Sequence, residues 1–443
     1  MAGLAVVALA VLLAGNAQAG DAEWIAAWGM APLRSPIAPN VELPRPPINP
    51  AIHGQSVRQV ITVGADGSQV RLHFDNRYGK TPVTIGRITL ARVAPGHGEA
   101  IDASSLVGVT ASGTATMTLP ATGSLDTDAV PFAVHAGERI AISLYVPGSV
   151  EPASWHVDSR YAQAISAPGD HTRDARWPGA AHAPGYDWMS RVDVVPTKRA
   201  PVVVALGDSI TNGFRASAGA SYPERLAARL DHAGCGSAVI NTGIDGNQVA
   251  NAHGDFGQGD SMLQRLPSDV LSVPGARYLL LLGGINDIGE PTMAAHASGQ
   301  PQPEAKALAG PVIDALARIA TEARQHGLRV YGATLPPFGG TEGAFTPQGE
   351  AARQAINAWI RRNAPYDAVI DFDATLRDSA HAERMQPRYD SGDHIHPNDA
   401  GYEAMAGAVP LALFGCLAGG VADNGAHASA SAVPTVSTRS AGP

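Results

Sequence analysis

The sequence is poor in cysteine, in aromatic side chains and in positive charge. Its 443 residues include two cysteines and 5% aromatic residues, and the formal net charge is -9. Two cysteines do not provide the clustered spacing of a cysteine-ligated metal site. An acidic chain also lacks the basic surface that binds phosphate backbones, so we do not expect nucleic acid as a partner.

Long apolar runs are absent after the start of the chain, so no later segment is expected to span a bilayer. Residues 1–19 are apolar and end in a small-residue site at Ala19, as in a secretory signal peptide, although no Lys or Arg precedes the apolar core. A membrane anchor is the alternative, but the run is short and contains Gly15 and Asn16. We therefore expect a secreted or periplasmic protein with no stable membrane anchor after cleavage.

The length favours two domains and a tail. Residues 56–195 show several short strands and no convincing helix, which predicts an all-β sandwich domain of jelly-roll type over residues 20–195. Residues 57–63 and 69–74 flank an Asp-Gly turn and are predicted to form a hairpin. Residues 139–146 alternate cleanly, which predicts a strand with one buried face.

A linker is predicted at residues 196–200, and residues 201–416 then alternate strands with helices, which is typical of a doubly wound parallel sheet. From residue 417 to 443 the chain has few large apolar residues and is predicted to be a disordered tail without a site. The predicted strands of the second domain are 202–206, 238–240, 278–282, 329–334 and 368–372, and its predicted helices are 223–233, 304–326, 347–363 and 398–414.

The first of these strands ends in Gly-Asp-Ser, at residues 207–209. Open α/β sheets bind their ligands at the carboxyl ends of the strands, so the hydroxyl of Ser209 is a candidate nucleophile. A simple turn is the alternative, because all three residues are common turn formers. The sequence around Ser209 lacks the G-x-S-x-G pattern of the nucleophile elbow.

A serine nucleophile needs a base and a group that orients the base. Asp393 and His396 are three residues apart near the C-terminus, so one turn can bring the carboxylate beside the imidazole. His394 is the alternative base. Acyl transfer also needs donors for an oxyanion. The loop after the second strand offers the Gly246 N–H, and the loop after the third offers the Asn286 amide, although plain strand-ending turns explain either loop alone.

Together these motifs resemble the SGNH, or GDSL, hydrolases. The resemblance covers residues 200–414 and rests on Gly-Asp-Ser, an Asn-x-Gly-x-x-Gly-Asn loop, a Gly-x-Asn-Asp loop and a late Asp-x-x-His-Pro. It implies a three-layer α/β/α flavodoxin-like fold and a serine enzyme that hydrolyses esters without metal or cofactor. It assigns the nucleophile to Ser209, the base to His396, its orienting group to Asp393, and the oxyanion donors to Ser209, Gly246 and Asn286.

A looser resemblance relates the chain to secreted bacterial branches of arylesterase or acetylxylan-esterase type that carry an N-terminal β-domain. It implies short acyl, mainly acetyl, esters of carbohydrate or aryl alcohols, as small molecules or on a polysaccharide. Separately, an exported chain with an even number of cysteines favours a disulfide between Cys235 and Cys416, with two free thiols as the alternative.

Two other functions remain open from the residues alone. A metal-dependent phosphoesterase would use a ligand set from Asp208, Asp393, His394, His396 and His253. A non-catalytic carbohydrate-binding protein would use exposed aromatic residues of the first domain, which would otherwise cover the seam with the second domain. Those aromatic residues are Trp155, Trp177, Tyr186 and Trp188.

Overall fold

The structure is a computed structural model that describes residues 23–35, 49–96, 98–158, 160–251, 259–362 and 364–416. The predicted signal peptide, the predicted tail and His253 lie outside these residues. Within the described part of the chain, none of the helices combines the length and the apolar composition needed to cross a membrane.

The described residues of the first domain, here called the β-domain, form sixteen strands that pair antiparallel in sheets of five, six, three and two strands. The strands are β1 (Ile25–Gly29), β2 (Leu33–Arg34), β3 (Ile52–Thr62), β4 (Gly67–Asp75), β5 (Val83–Ile85), β6 (Arg87–Arg92), β7 (Val107–Val109), β8 (Met117–Leu119), β9 (Ser124–Asp126), β10 (Val130–Val134), β11 (Arg139–Val150), β12 (Ser154–His156), β13 (Ala162–Pro168), β14 (Ala181–Pro184), β15 (Tyr186–Asp187) and β16 (Met189–Pro196).

The two large sheets pack face to face, because their apolar side chains share one core. One sheet has the order β1-β16-β4-β10, with β9 beside β4, and the other has the order β14-β13-β3-β11-β6-β7. In β11, the predicted inward residues Ile140, Ile142, Leu144 and Val146 are all buried. The predicted β-sandwich is therefore confirmed.

The predicted hairpin around Asp66-Gly67 is wrong. The strand before the turn, β3, pairs with β11 and β13, whereas the strand after it, β4, pairs with β16, β10 and β9. The turn therefore carries the chain from one sheet to the other. A hairpin within one sheet and a crossing between two packed sheets give the same alternating sequence pattern, because each strand has one face in the core in either arrangement.

Five parallel strands form the sheet of the second domain, here called the α/β domain. Their order, β18-β17-β19-β20-β21, is the flavodoxin-like order, so the predicted fold is confirmed. The strands are β17 (Val202–Gly207), β18 (Ala238–Gly243), β19 (Ala276–Leu282), β20 (Arg329–Ala333) and β21 (Ala368–Ile370).

Helices cover both faces of this sheet, since its apolar residues divide between two separate cores. One core includes the helices α3 to α6 and continues into the β-domain, and the other includes α2, α7 and α8. The helices are α1 (Ser209–Asn212), α2 (Tyr222–His232), α3 (Met262–Leu266), α4 (Ile285–Ser298), α5 (Ala305–Gln325), α6 (Pro347–Arg362), α7 (Phe372–Leu376) and α8 (Asp399–Ala408).

The predicted helices differ from the structure in two respects. The helix predicted to run to residue 414 ends at Ala408, and a separate 3-10 turn follows at Leu411–Phe414, because Pro410 cannot continue the helix. Four helices were not predicted: the short helices α1, α3 and α7, and the longer α4. The buried face of α4 includes Asp287, Glu290 and Thr292, so the helix lacks the apolar stripe that marks a helix in a sequence.

The two domains pack closely along β1 and β18. A Cβ on Gly29 of β1 would lie 2.9 Å from the Ile240 side chain of β18, so a glycine is needed for this approach. All four aromatic residues proposed for sugar stacking are buried, which corrects the expectation that they are exposed. On the far side of the α/β domain, Cys235 and Cys416 form the predicted disulfide, with Cα atoms 5.5 Å apart.

Candidate active site

The candidate nucleophile lies where the central strand ends. All six residues of β17 are buried, and the chain then turns directly into the short helix α1. The Asp208 side chain caps this helix by accepting a hydrogen bond from the Ile210 N–H at 3.0 Å. Ser209 is therefore the first residue of a capped helix, and its hydroxyl lies at the carboxyl edge of the sheet.

Ser209, His396 and Asp393 lie in a single hydrogen-bonded row. The Ser209 Oγ is 2.8 Å from His396 Nε2, and His396 Nδ1 is 2.9 Å from Asp393 Oδ2. Because Nδ1 faces a carboxylate it must donate there, which leaves Nε2 of a neutral ring free to accept the serine proton. Asp393 also accepts hydrogen bonds from the backbone N–H groups of Ile395 and His396, so the loop itself fixes the carboxylate.

The charge on Asp393 is well stabilised. Burial alone would raise the pKa of its carboxyl group, but the hydrogen bond and charge of His396 and the two backbone donors lower that pKa below the usual range. The carboxylate therefore stays ionised over the range in which an ester hydrolase works.

His394, the alternative base, points elsewhere. Its Nδ1 lies 2.6 Å from Asp390 Oδ2, so the loop holds a second Asp–His pair beside the first. The side chain of His394 is 50% exposed, against 14% for His396. The structure thus brings His396, and not His394, to Ser209.

Two neighbours of this row were not predicted. The Phe214 ring lies against the His396 ring, with centroids 4.7 Å apart. The next residue, Arg215, donates from Nε to Asp393 Oδ2 at 3.2 Å and has a φ of 70°, a conformation that is rare for a residue with a side chain. That φ aims its side chain at Asp393, and no sequence pattern marks such a contact.

Gly246 lies in a tight turn, residues 244–247, that directly follows β18. The Asn247 N–H donates to the Ile244 carbonyl at 3.1 Å, and Gly246 between them has a φ of 70°. A positive φ at the third position of a turn favours glycine. We call this segment the oxyanion turn, after the role predicted for Gly246.

Asn286 lies in the first turn of α4 and reaches the oxyanion turn directly. Its Nδ2 donates to the Asn247 carbonyl at 3.0 Å, and the same amide nitrogen carries a second proton that can be donated to another acceptor. The neighbouring Asp287 accepts from the Val249 and Ala250 N–H groups at 2.8 and 3.0 Å. The third strand-end loop is therefore tied to the second.

Three buried carboxyl groups lie beneath these loops. Burial, with added repulsion from Asp287 and Asp245, raises the pKa of Asp208 to about 7. Burial also raises the pKa values of Asp245 and Asp287. Carboxyl groups with raised pKa values often cluster at functional sites, because the folded structure holds them in surroundings that disfavour their charged form.

A buried arginine joins the strand ends from below, and no sequence pattern marks it. Arg265 donates to the carbonyls of Gly207 and Thr242, at 2.8 and 2.7 Å, and to Asn247 Oδ1 at 3.0 Å. Gly207 ends β17 and Thr242 lies one residue before the end of β18. One guanidinium thus fixes the spacing between the nucleophile strand and the oxyanion turn.

Of the five residues considered as metal ligands, His253 lies outside the described residues, and the other four do not form one ligand set. Asp208 is turned inward as a helix cap, and His394 pairs with Asp390. Across the part of the chain that the structure describes, no group of three or more His, Cys, Asp or Glu residues is arranged to hold a metal ion.

Most of the α/β domain matches a known protein family. Residues 205–404 match the model of the GDSL-like Lipase/Acylhydrolase family. Among curated proteins, none matches this chain. Similar solved structures include a carbohydrate acetylesterase family member from Sinorhizobium meliloti, which is 15% identical, with 49% of this chain and 98% of that chain covered and a TM-score of 0.38.

A GDSL-like lipase from Bacteroides thetaiotaomicron is 17% identical to this chain, with 50% of this chain and 92% of that chain covered and a TM-score of 0.35. A member of the lipolytic protein G-D-S-L family from Veillonella parvula is 22% identical, with 47% and 96% covered and a TM-score of 0.34.

Proposed function

Since residues 205–404 belong to the GDSL-like lipase/acylhydrolase family, we propose that the protein is a secreted serine esterase that works through a covalent acyl-enzyme. The observation that carries this proposal is the row from Ser209 Oγ to His396 Nε2, 2.8 Å, and from His396 Nδ1 to Asp393, 2.9 Å. This is the arrangement that activates a serine hydroxyl.

In the first step, Ser209 Oγ attacks the ester carbonyl carbon while His396 Nε2 takes the hydroxyl proton. Asp393 holds the ring in the required orientation and stabilises the imidazolium that forms. The carbonyl oxygen becomes an oxyanion, which accepts hydrogen bonds from the Ser209 N–H, the Gly246 N–H and the Asn286 amide. The helix N-terminus at Ser209 adds a partial positive charge at the same point.

The tetrahedral intermediate then collapses. The bond to the alcohol breaks, and the alcohol oxygen takes the proton from His396, which leaves the acyl group on Ser209. Water enters, gives a proton to His396 and attacks the acyl carbon. The second intermediate releases the carboxylic acid, and the proton returns to Ser209.

For the substrate, we propose short acyl groups, mainly acetyl, on carbohydrate or aryl alcohols. The support is the sequence resemblance to secreted arylesterase and acetylxylan-esterase branches with an N-terminal β-domain. For location, the support is the apolar segment at residues 1–19 and the disulfide between Cys235 and Cys416, a bond typical of oxidising compartments. Mass analysis of the exported protein should show cleavage after Ala19.

The test is hydrolysis of p-nitrophenyl esters, from acetyl to octanoyl, by the wild type and by Ser209→Ala, with and without EDTA. We expect the fastest turnover on acetyl, no effect of EDTA, and a loss of about 10⁶-fold in kcat in the variant. Activity in Ser209→Ala would overturn the serine mechanism. Loss of wild-type activity in EDTA would favour a metal hydrolase instead, and an inactive wild type that binds acetylated polysaccharide would favour a binding protein.

A further inference from the structure

The oxyanion turn belongs to the α/β domain by sequence, but the side chains on it are held by the β-domain. The first of them, Ile244, is fully buried. It packs into a small apolar cluster, separate from the main cores, in which every other member comes from the β-domain: Ala31, Leu33, Trp155 and Val157. The turn is thus anchored at its start in the neighbouring domain.

The second residue of the turn, Asp245, is held through a relay. Asn212 Nδ2 donates to Asp245 Oδ1 at 2.8 Å, and Asn212 Oδ1 lies 3.2 Å from His156 Nε2. The other ring nitrogen of His156, Nδ1, lies 2.8 Å from the Ala31 carbonyl oxygen. Because His156 is buried and belongs to β12, the β-domain fixes the Asn212 amide and through it the Asp245 carboxylate.

The last residue of the turn, Asn247, is held on two sides. Its Nδ2 donates to the Asp260 carbonyl at 2.9 Å, and the Asp260 carboxylate accepts from the hydroxyl of Tyr78, a β-domain residue, at 3.1 Å. Its Oδ1 accepts from Arg265, which is paired with Asp269 at 3.2 Å. Asp269 is in turn paired with Arg77 of the β-domain at 2.8 Å.

These contacts reach three of the four residues of the turn and leave only Gly246, which has no side chain. We propose that the β-domain is a positioning part of the active site, and that it holds the oxyanion turn so that the Gly246 N–H meets the developing oxyanion. This inference rests on the function proposed above. It assigns His156 and Tyr78 as positioning residues, since they act through Asn212 and Asp260 rather than on the substrate.

The expected size of the effect follows from how strictly an oxyanion donor must be placed. Removing one such donor lowers kcat by about 10² to 10³-fold, and a displacement of about 1 Å at a reacting group costs about 10²-fold. Loosening the turn without removing the donor should therefore lower kcat by roughly 10 to 100-fold. The ground-state ester does not need the donor, so KM should change little.

The experiment uses the full-length protein and p-nitrophenyl acetate. In His156→Leu, we expect kcat to fall by roughly 10 to 100-fold with KM within about twofold of the wild type. In His156→Gln, whose longer amide can still donate toward Asn212, part of the loss should be recovered. Tyr78→Phe keeps the ring and removes only the hydroxyl, so kcat should fall by a few-fold with the melting temperature almost unchanged.

The matched control is Tyr186→Phe. Tyr186 is also a buried β-domain tyrosine, but its hydroxyl donates to the Val60 carbonyl within the same domain, so this hydrogen bond does not lead to the turn. We expect wild-type kcat in this variant. Equal kcat losses in Tyr186→Phe and His156→Leu, or no loss in His156→Leu and Tyr78→Phe, would overturn the inference. Ser209→Ala, measured in the same assay, shows separately whether the serine mechanism itself holds.

Discussion

The two halves of the candidate site are built in different ways. Ser209, His396 and Asp393 all belong to the α/β domain, and the hydrogen bonds described for them lie within it: a capped helix for the serine and backbone donors for the aspartate. The oxyanion turn opposite them packs directly on the β-domain at Ile244, and it is linked to that domain through Asn212 at Asp245 and through Asp260 and Arg265 at Asn247. A proton relay can be assembled from two loops of one domain, whereas the placement of a single backbone N–H here draws on packing from a second domain.

The largest effect is expected in the row of Ser209, His396 and Asp393, whose residues all belong to the α/β domain. Asp393→Asn should lower kcat by about 10⁴-fold, because an amide no longer holds His396 in the tautomer that accepts the serine proton. The adjacent pair offers the matched control, since Asp390→Asn changes the same residue type three positions away. Steady-state kinetics of both variants on p-nitrophenyl acetate would test this, and a large loss in Asp390→Asn alone would assign the base to His394.

A smaller effect is expected at Asn286, which connects α4 to the oxyanion turn. Asn286→Ala removes the amide that donates to the Asn247 carbonyl and, by proposal, to the oxyanion. We expect kcat to fall by about 10² to 10³-fold, with KM little changed. If kcat stayed at the wild-type level while the melting temperature fell, Asn286 would be only a structural tie between α4 and the turn.

The smallest effect is expected on stability. It tests the buried carboxyl group of Asp208 and not a catalytic step. Burial raises the pKa of Asp208 to about 7, above the value of about 3.9 in an unfolded chain. Between these two values the folded state binds more protons than the unfolded state, so this group lowers stability as pH rises from about 4 to about 7. Asn caps helices as well as Asp does, so Asp208→Asn should keep the cap without this penalty.

Melting temperatures of wild type and Asp208→Asn at pH 4.5 and pH 8 would check the sign. We expect the variant to gain stability at pH 8 and to gain little or none at pH 4.5. The reverse pattern, with the gain at acid pH, would mean that Asp208 is ionised in the folded protein and stabilised there.

The sequence predicted well where the physical cause is local or periodic. The central strand β17 is an apolar run buried on both faces, and Ser221 caps α2 and forms a capping box with Glu224. Ser209, Gly246 and Asn286 follow strand ends, and topology alone brings strand ends together. Asp393 and His396 lie in the loop before α8, and their spacing and the family resemblance marked them instead.

Prediction failed where a pattern has two solutions or where a contact is long-range. Alternating strands around an Asp-Gly turn satisfy a hairpin and a crossing between two sheets equally, and only the pairing of β3 and β4 distinguishes them. Helix α4 was missed because its buried face includes Asp287, Glu290 and Thr292, so it lacks an apolar stripe. His156 and Arg265 act through partners 56 and 58 residues away, and nothing near them in the sequence marks such a role.

The core that the β-domain shares with the α/β sheet limits how either domain can be replaced by engineering. Gly29 lies against Ile240 with no room for a side chain, and Ile244 completes a cluster made by the other domain. The β-domain and the α/β domain are therefore not interchangeable modules. Suppose that a chimera joins this α/β domain to a different β-sandwich. That sandwich would need Gly29, the apolar cluster that receives Ile244, and His156 together. Without them the chimera would keep Ser209 but lose the contacts that position the oxyanion turn.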